Sequence, residues 1–143
     1  MRRLFISLSI LLIPILIGMG TGGMQTHKIP TPATNFSATI TDSQGVTTKV
    51  THISFDGKVY LTGYRGNATV TVPFEKISSV QVGKLAEDKK VSVFVTLKEG
   101  GTLNIMVEGK LPCYGSADFG NVQIEFKDIK KVDIEGVVTK GKP

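Results

Sequence analysis

The chain has 143 residues, a formal net charge of +5, 41% hydrophobic residues, one cysteine and no tryptophan. That length supplies one domain with a sizeable core, and a single cysteine excludes an internal disulfide. Charges of both signs alternate, as in Lys84-Leu85-Ala86-Glu87-Asp88-Lys89-Lys90, which excludes a dedicated nucleic-acid face.

The first residues have the pattern expected of an export signal. Met1-Arg2-Arg3 precedes an apolar run from Leu4 to Met19, broken by Ser7, Ser9, Pro14 and Gly18, and small residues follow from Gly20 to Gly23. A basic start, an apolar stretch and a small-residue stretch predict a signal peptide over residues 1–23, helical in its apolar part and cleaved near Gly23. The arginines stay on the cytoplasmic side while the apolar stretch enters the translocation channel. The run falls slightly short of the roughly 20 residues that span a bilayer, so the membrane is a partner only through this segment if it stays uncleaved. The expected location is extracytoplasmic, periplasmic or secreted. Removing the segment lowers the charge from +5 to +3, because Arg2 and Arg3 leave and no acid does.

Residues 24–35, with prolines and threonines and no periodicity, predict an extended linker. Residues 36–143 predict a single all-β domain. Phe36, Ala38 and Ile40 alternate with Ser37, Thr39 and Thr41, the pattern of a half-buried strand. Val46–Phe55 is rich in β-branched residues, and its inward face switches between Val50 and Ile53, which predicts a bulge near Thr51-His52. Asp56-Gly57 predicts a hairpin into Val59–Tyr64, and Gly66-Asn67 turns the chain into Thr69–Phe74. One helical turn is expected around Gly83–Lys90. Val91–Leu97 and Leu103–Val107 alternate on either side of Glu99-Gly100-Gly101. Gly109–Asn121 reads as a long irregular stretch before Val122, Ile124 and Phe126.

An internal repeat is the most informative pattern. Val72–Val82 (VPFEKISSVQV) aligns without a gap on Ile124–Ile134 (IEFKDIKKVDI), apolar at the first, third, sixth, ninth and eleventh positions. Gly66-Asn67 and Gly120-Asn121 precede the two copies. Spacings of two, three, three and two mean a strand, one tight turn that drops an apolar residue onto the core, and a second strand. The fold expectation is therefore a small sandwich or partly closed barrel built from two β-repeats, about 37–83 and 91–136, sharing one core. Two small SH3-like barrels packed together are the alternative architecture. Pro73 places its strand at a sheet edge or at a bend.

No catalytic, cofactor or metal motif emerges. Cys113 lies far in sequence from the imidazoles His27 and His52, and no CxxC or HxxxH pair exists. Asp42, Asp56, Asp88 and Asp118 are isolated turn acids. Gly63-Tyr64-Arg65-Gly66-Asn67 lacks the lysine and hydroxyl residue of a phosphate loop. Asn35-Phe36-Ser37 and Asn67-Ala68-Thr69 are formal glycosylation sequons. An interaction loop is expected at Cys113, Tyr114 and Asp118, with Tyr64 and Arg65 as a second candidate contact. The resulting expectation is a non-enzymatic binding module without cofactor, whose partner is an envelope protein or surface component and not nucleic acid. The alternative is a small-molecule or lipid carrier with a hollow barrel core.

Overall fold

A computed structural model describes residues 28–139; the expected signal helix and residues 24–27 of the expected linker lie outside the described residues. The first half of the chain forms β1 (Phe36–Asp42), β2 (Thr47–Phe55), β3 (Tyr60–Arg65), β4 (Ala68–Pro73), a 3₁₀ turn (Phe74–Lys76) and β5 (Ile77–Leu85). The second half forms β6 (Lys90–Leu97), β7 (Thr102–Glu108), β8 (Pro112–Ala117), β9 (Gly120–Glu125), another 3₁₀ turn (Phe126–Asp128) and β10 (Ile129–Val137). No α-helix occurs among the described residues. The strands make one curled, antiparallel, ten-stranded sheet, a half-barrel, in the order β4-β3-β7-β6-β5-β10-β1-β2-β8-β9.

This order rules out two barrels with a boundary between the halves. β1 and β2 of the first half lie between β10 and β8 of the second, while β6 and β7 lie between β5 and β3. The order also reads the same when every strand is exchanged for the one five later. β5 and β10 meet at the centre, with Val80 opposite Val132. Hydrogen bonds follow the same exchange. Phe74 N–H donates to Val59 O (3.0 Å), and Phe126 N–H donates to Leu111 O (2.9 Å). Lys98 N–H donates to Lys76 O as Ser43 N–H donates to Asp128 O, both at 2.9 Å. The two Gly-Asn pairs do not take part in this match. Gly66-Asn67 forms the turn between β3 and β4, whereas Gly120-Asn121 begins β9 after the turn Asp118-Phe119.

The inward positions of both halves form a single core. Phe74, Ile77, Val80, Phe126 and Val132 are fully buried, and Ile129 nearly so. Phe55 joins the two 3₁₀ turns: its ring meets Phe74 edge-on at 4.9 Å and Phe126 at 4.8 Å. Such edge-to-face contacts add to the burial energy of each ring. β2 bends at His52, whose φ of 51° accompanies the register shift against β8 between Thr51 and Ser54. Asp56 and Gly57, at φ 57° and 84°, make the primed turn their sequence predicts.

Three expectations need correction or extension. Around Gly83–Lys90 there is no helical turn. β5 runs on to Leu85 and a short turn closed by Lys89 N–H to Ala86 O (3.0 Å) returns the chain into β6. Lys89 adopts φ 68°, which a helix cannot contain. The stretch expected to be irregular, Gly109–Asn121, contains the strand β8 and the start of β9. Its inward positions are Cys113 and Gly115, and an inward glycine leaves no apolar side chain to reveal a period of two. Within the expected linker, Pro32 is buried and Asn35 Oδ1 accepts the His52 N–H at 2.7 Å, so these residues pack on the domain.

Candidate functional site

Surface clefts lie beside two of the seams that join strands of different halves. At the first, β3 pairs with β7 through Tyr64 and Met106. At the second, β8 pairs with β2 through Thr51 and Ser116, then, beyond the bend, through Ser54–Tyr114 and Phe55–Cys113. Close approach at both seams requires glycine. A Cβ on Gly63 would lie 2.7 Å from Met106 O, and a Cβ on Gly115 would lie 2.7 Å from Val50 Cβ. The first cleft, about 480 Å³, is lined by Tyr64, Gly66, Asp88, Lys90 and Met106. In it Lys90 Nζ stands 5.4 Å from the Tyr64 ring centroid and 3.7 Å from Asp88 Oδ2. The second, about 350 Å³, carries Lys49, Thr51, Ser116, Asp118 and Glu135 among its lining residues.

The two expected contacts lie on strands far apart in the sheet order. Tyr64 and Arg65 end β3, second in the order, while Cys113 and Tyr114 lie in β8, ninth in the order. Tyr64 faces the first cleft and Asp118 the second. Arg65 is exposed at the end of its hairpin, and Tyr114 is half-buried. Cys113 is not a loop residue. It is fully buried in β8 between Phe55 on one neighbouring strand and Ile124 on the other. Burial disfavours the thiolate and pushes the thiol up to about 12. A nucleophile needs a base within reach, and the cross-strand neighbours of this thiol are apolar. His52 lies half-buried at the bend of β2, its Nδ1 3.4 Å from Thr51 Oγ1. Among the described residues, His, Cys, Asp and Glu side chains form no group that could hold a metal ion.

The residue that sequence reading missed is Phe119. It occupies the tip of the β8–β9 hairpin and is 79% exposed, the most exposed of the large hydrophobic side chains described. The corresponding turn between β3 and β4 carries Gly66-Asn67 instead. The missed signal was positional: once β8 is recognised as a strand, Asp118-Phe119 falls between the paired residues Ala117 and Gly120.

These features define an all-β domain with an apolar hairpin tip and polar clefts along its strand seams. The chain belongs to a protein family whose model, described as "Uncharacterised protein", matches residues 32–137. The match runs from the buried Pro32 to the last residue of β10. No curated protein matches the chain.

Proposed function

We propose that this protein is an exported, non-catalytic binding module that engages an envelope protein or surface component through the tip of the β8–β9 hairpin. Export rests on the basic, apolar and small-residue segments over residues 1–23. The observation that carries the binding reading is the 79% exposure of Phe119. A two-residue turn gains nothing from a phenyl ring, and a large apolar side chain held in water at a rigid tip gains free energy when a partner covers it. Asp118, next to Phe119 in the turn, lines a cleft that also carries Lys49 and Glu135, which adds polar groups beside the hairpin. The interior favours a surface function over a carrier, since the rings of Phe36, Phe55, Phe74 and Phe126 fill the core. The burial of Cys113 favours a non-enzymatic role.

The same reading takes the halves β1–β5 and β6–β10 as duplicated units that exchanged strands. The palindromic strand order and the paired hydrogen bonds of the two 3₁₀ turns support it. On this view the duplication left two similar hairpins, and Phe119 marks the one that acquired a contact.

The test uses the mature protein as bait against envelope extract from its native source, with Phe119→Ser as the control. One partner should be enriched by the unaltered protein and lost with Phe119→Ser, while the two proteins melt alike. Recovery of the same partner by both baits, or no enrichment by either, would overturn the proposal.

A further inference from the structure

We propose that β4 is a self-pairing edge, through which two copies of this chain associate by antiparallel strand addition centred on Val70. The inference does not depend on the role given to Phe119; it rests on the register of the sheet's first strand.

β4 is first in the strand order, with β3 as its neighbour. The Phe74 N–H to Val59 O bond flanks the Tyr60–Pro73 pair and marks it as a wide, non-hydrogen-bonded pair. Alternation along the ladder makes Thr71–Thr62 and Thr69–Tyr64 wide pairs as well. The backbone N–H and C=O groups of Thr69 and Thr71 therefore point away from β3. Both threonines are exposed, Val70 is half-buried, and the strand Ala68–Pro73 contains no charge to repel a second strand.

Three observations select a second copy in one register. Placing Val70 opposite Val70 of the other copy sets Thr69 opposite Thr71, so each outward amide meets an outward carbonyl on both sides of the twofold axis. Thr–Thr is also a favourable cross-strand pair. Centring on Thr71 instead sets Thr69 opposite Pro73, which has no N–H to give, and centring on Thr69 sets Thr71 opposite Asn67 in the turn. Charge agrees with the first register: Arg65 and Glu75 are equally far from Val70 in sequence, so each copy brings Arg65 to the end where the other carries Glu75. At the opposite edge, Glu125 of β9 occupies the place that Pro73 has in β4.

A single added strand makes a small interface, so the association is weak and concentration-dependent. Sedimentation of the mature protein over about a hundredfold range of concentration should show a monomer–dimer equilibrium. Thr71→Pro removes an outward amide that β3 does not use and should weaken the dimer about tenfold or more. A second measurement fixes the register even if that variant folds poorly. In a Cys113→Ser background, Val70→Cys should cross-link to itself under mild oxidation, because wide pairs bring Cα atoms to about 4.5 Å, within disulfide range. Thr69→Cys, which faces Thr71 of the other copy, should not. A monomer at every concentration, a dimer that folded Thr71→Pro leaves unchanged, or equal cross-linking at both positions would overturn the proposal.

Discussion

Phe74 and Phe126 hold corresponding places in the two halves, each opening a 3₁₀ turn and each fully buried, yet their surroundings differ. Phe74 packs edge-on against two rings, Phe36 at 5.4 Å and Phe55 at 4.9 Å, whereas Phe126 meets Phe55 at 4.8 Å. The backbone plan is common to both halves, but the first half has built the denser aromatic cluster. Truncating either ring should cost about 3–5 kcal/mol, from lost transfer energy and the cavity left behind. Phe74→Ala should cost more than Phe126→Ala, by about the 0.5–1.5 kcal/mol of one further ring contact. Denaturant midpoints decide the order. A Phe126→Ala loss equal to or larger than that of Phe74→Ala would show that ring contacts do not distinguish the halves.

The seam glycines sharpen the same comparison. At Gly63 the nearest obstacle to a Cβ is the Met106 carbonyl oxygen at 2.7 Å, a backbone atom fixed in β7, with Ile105 Cδ1 at 2.8 Å and Val107 Cγ2 at 3.1 Å beside it. At Gly115 it is the Val50 side chain, with Cβ at 2.7 Å and its two methyls at 2.8 and 3.0 Å. Alanine at either site should destabilise by about 3 kcal/mol, the upper part of the overpacking range. The two differ in what can relieve them. Val50→Ala removes two of the colliding methyls, so it should recover part of the stability lost by Gly115→Ala. Trimming Ile105 should recover Gly63→Ala less, because the Met106 carbonyl oxygen stays in place. A double-mutant cycle without coupling between positions 50 and 115 would mean that the second seam yields by backbone movement.

What sequence reading captured was local, and what it missed was set by contacts between distant segments. Alternation in Phe36–Ile40 and Val91–Leu97, the Asp56-Gly57 turn and the Phe–Ile spacing of the two 3₁₀ turns each depend on a few consecutive residues, and each is found in the structure. The helical turn expected around Gly83–Lys90 is absent because β5 runs on to Leu85 and only a few residues join it to β6. β8 was hidden because its inward side chains include Gly115, kept small by Val50 from another strand. The interleaving of β1–β2 and β6–β7 with strands of the other half has no local trace, since both the interleaved and the separate arrangement bury the same alternating residues. The candidate loop divides in the same manner. Cys113 and Asp118 were grouped by proximity in sequence, and strand geometry turned one into the core and left the other at the tip beside Phe119.

Cys113 gives a smaller effect with a defined pH signature. It is fully buried in β8, the counterpart of Leu61 in β3. Cys113→Ser places a hydroxyl among apolar neighbours and should cost about 1–2 kcal/mol, more than Cys113→Ala if the polar group is the cause. The thiol ionises near 9.0 when free and at about 12 in the fold. The folded pKa is raised, so the unfolded state releases its proton first. The protonated thiol's contribution is fully present below pH 9 and is lost as pH rises from about 9 towards 12. The unaltered domain should therefore lose more stability over that interval than Cys113→Ala does. A thiol reagent should label the native protein no faster than the domain opens. Rapid labelling of the folded protein at neutral pH would show that β8 is not closed over the sulfur.

The smallest effect is expected where the halves carry opposite charges on the same turn. Glu75 in the first 3₁₀ turn corresponds to Lys127 in the second, and Lys127 Nζ lies 3.3 Å from Glu125 Oε1 and 3.4 Å from Asp128 Oδ2. Hydrogen bonds to Glu125 and Asp128, with their charges, raise the lysine's pKa. A raised folded pKa means that the pair stabilises below the ordinary lysine range and that this is lost as pH rises beyond it. The ammonium is fully solvated, however, and exposed ion pairs are screened by water and salt while holding long side chains in place costs entropy. Lys127→Ala should therefore shift the melt far less than any core substitution above, and the shift should fade in high salt. Lys127→Glu imitates the first half but places a third acid beside Glu125 and Asp128, so it should destabilise more than alanine at low salt and converge with it at high salt. Equal shifts for the two variants at every ionic strength would assign the role of Lys127 to the packing of its alkyl stem, and the charge difference between the two turns would then carry no energetic weight.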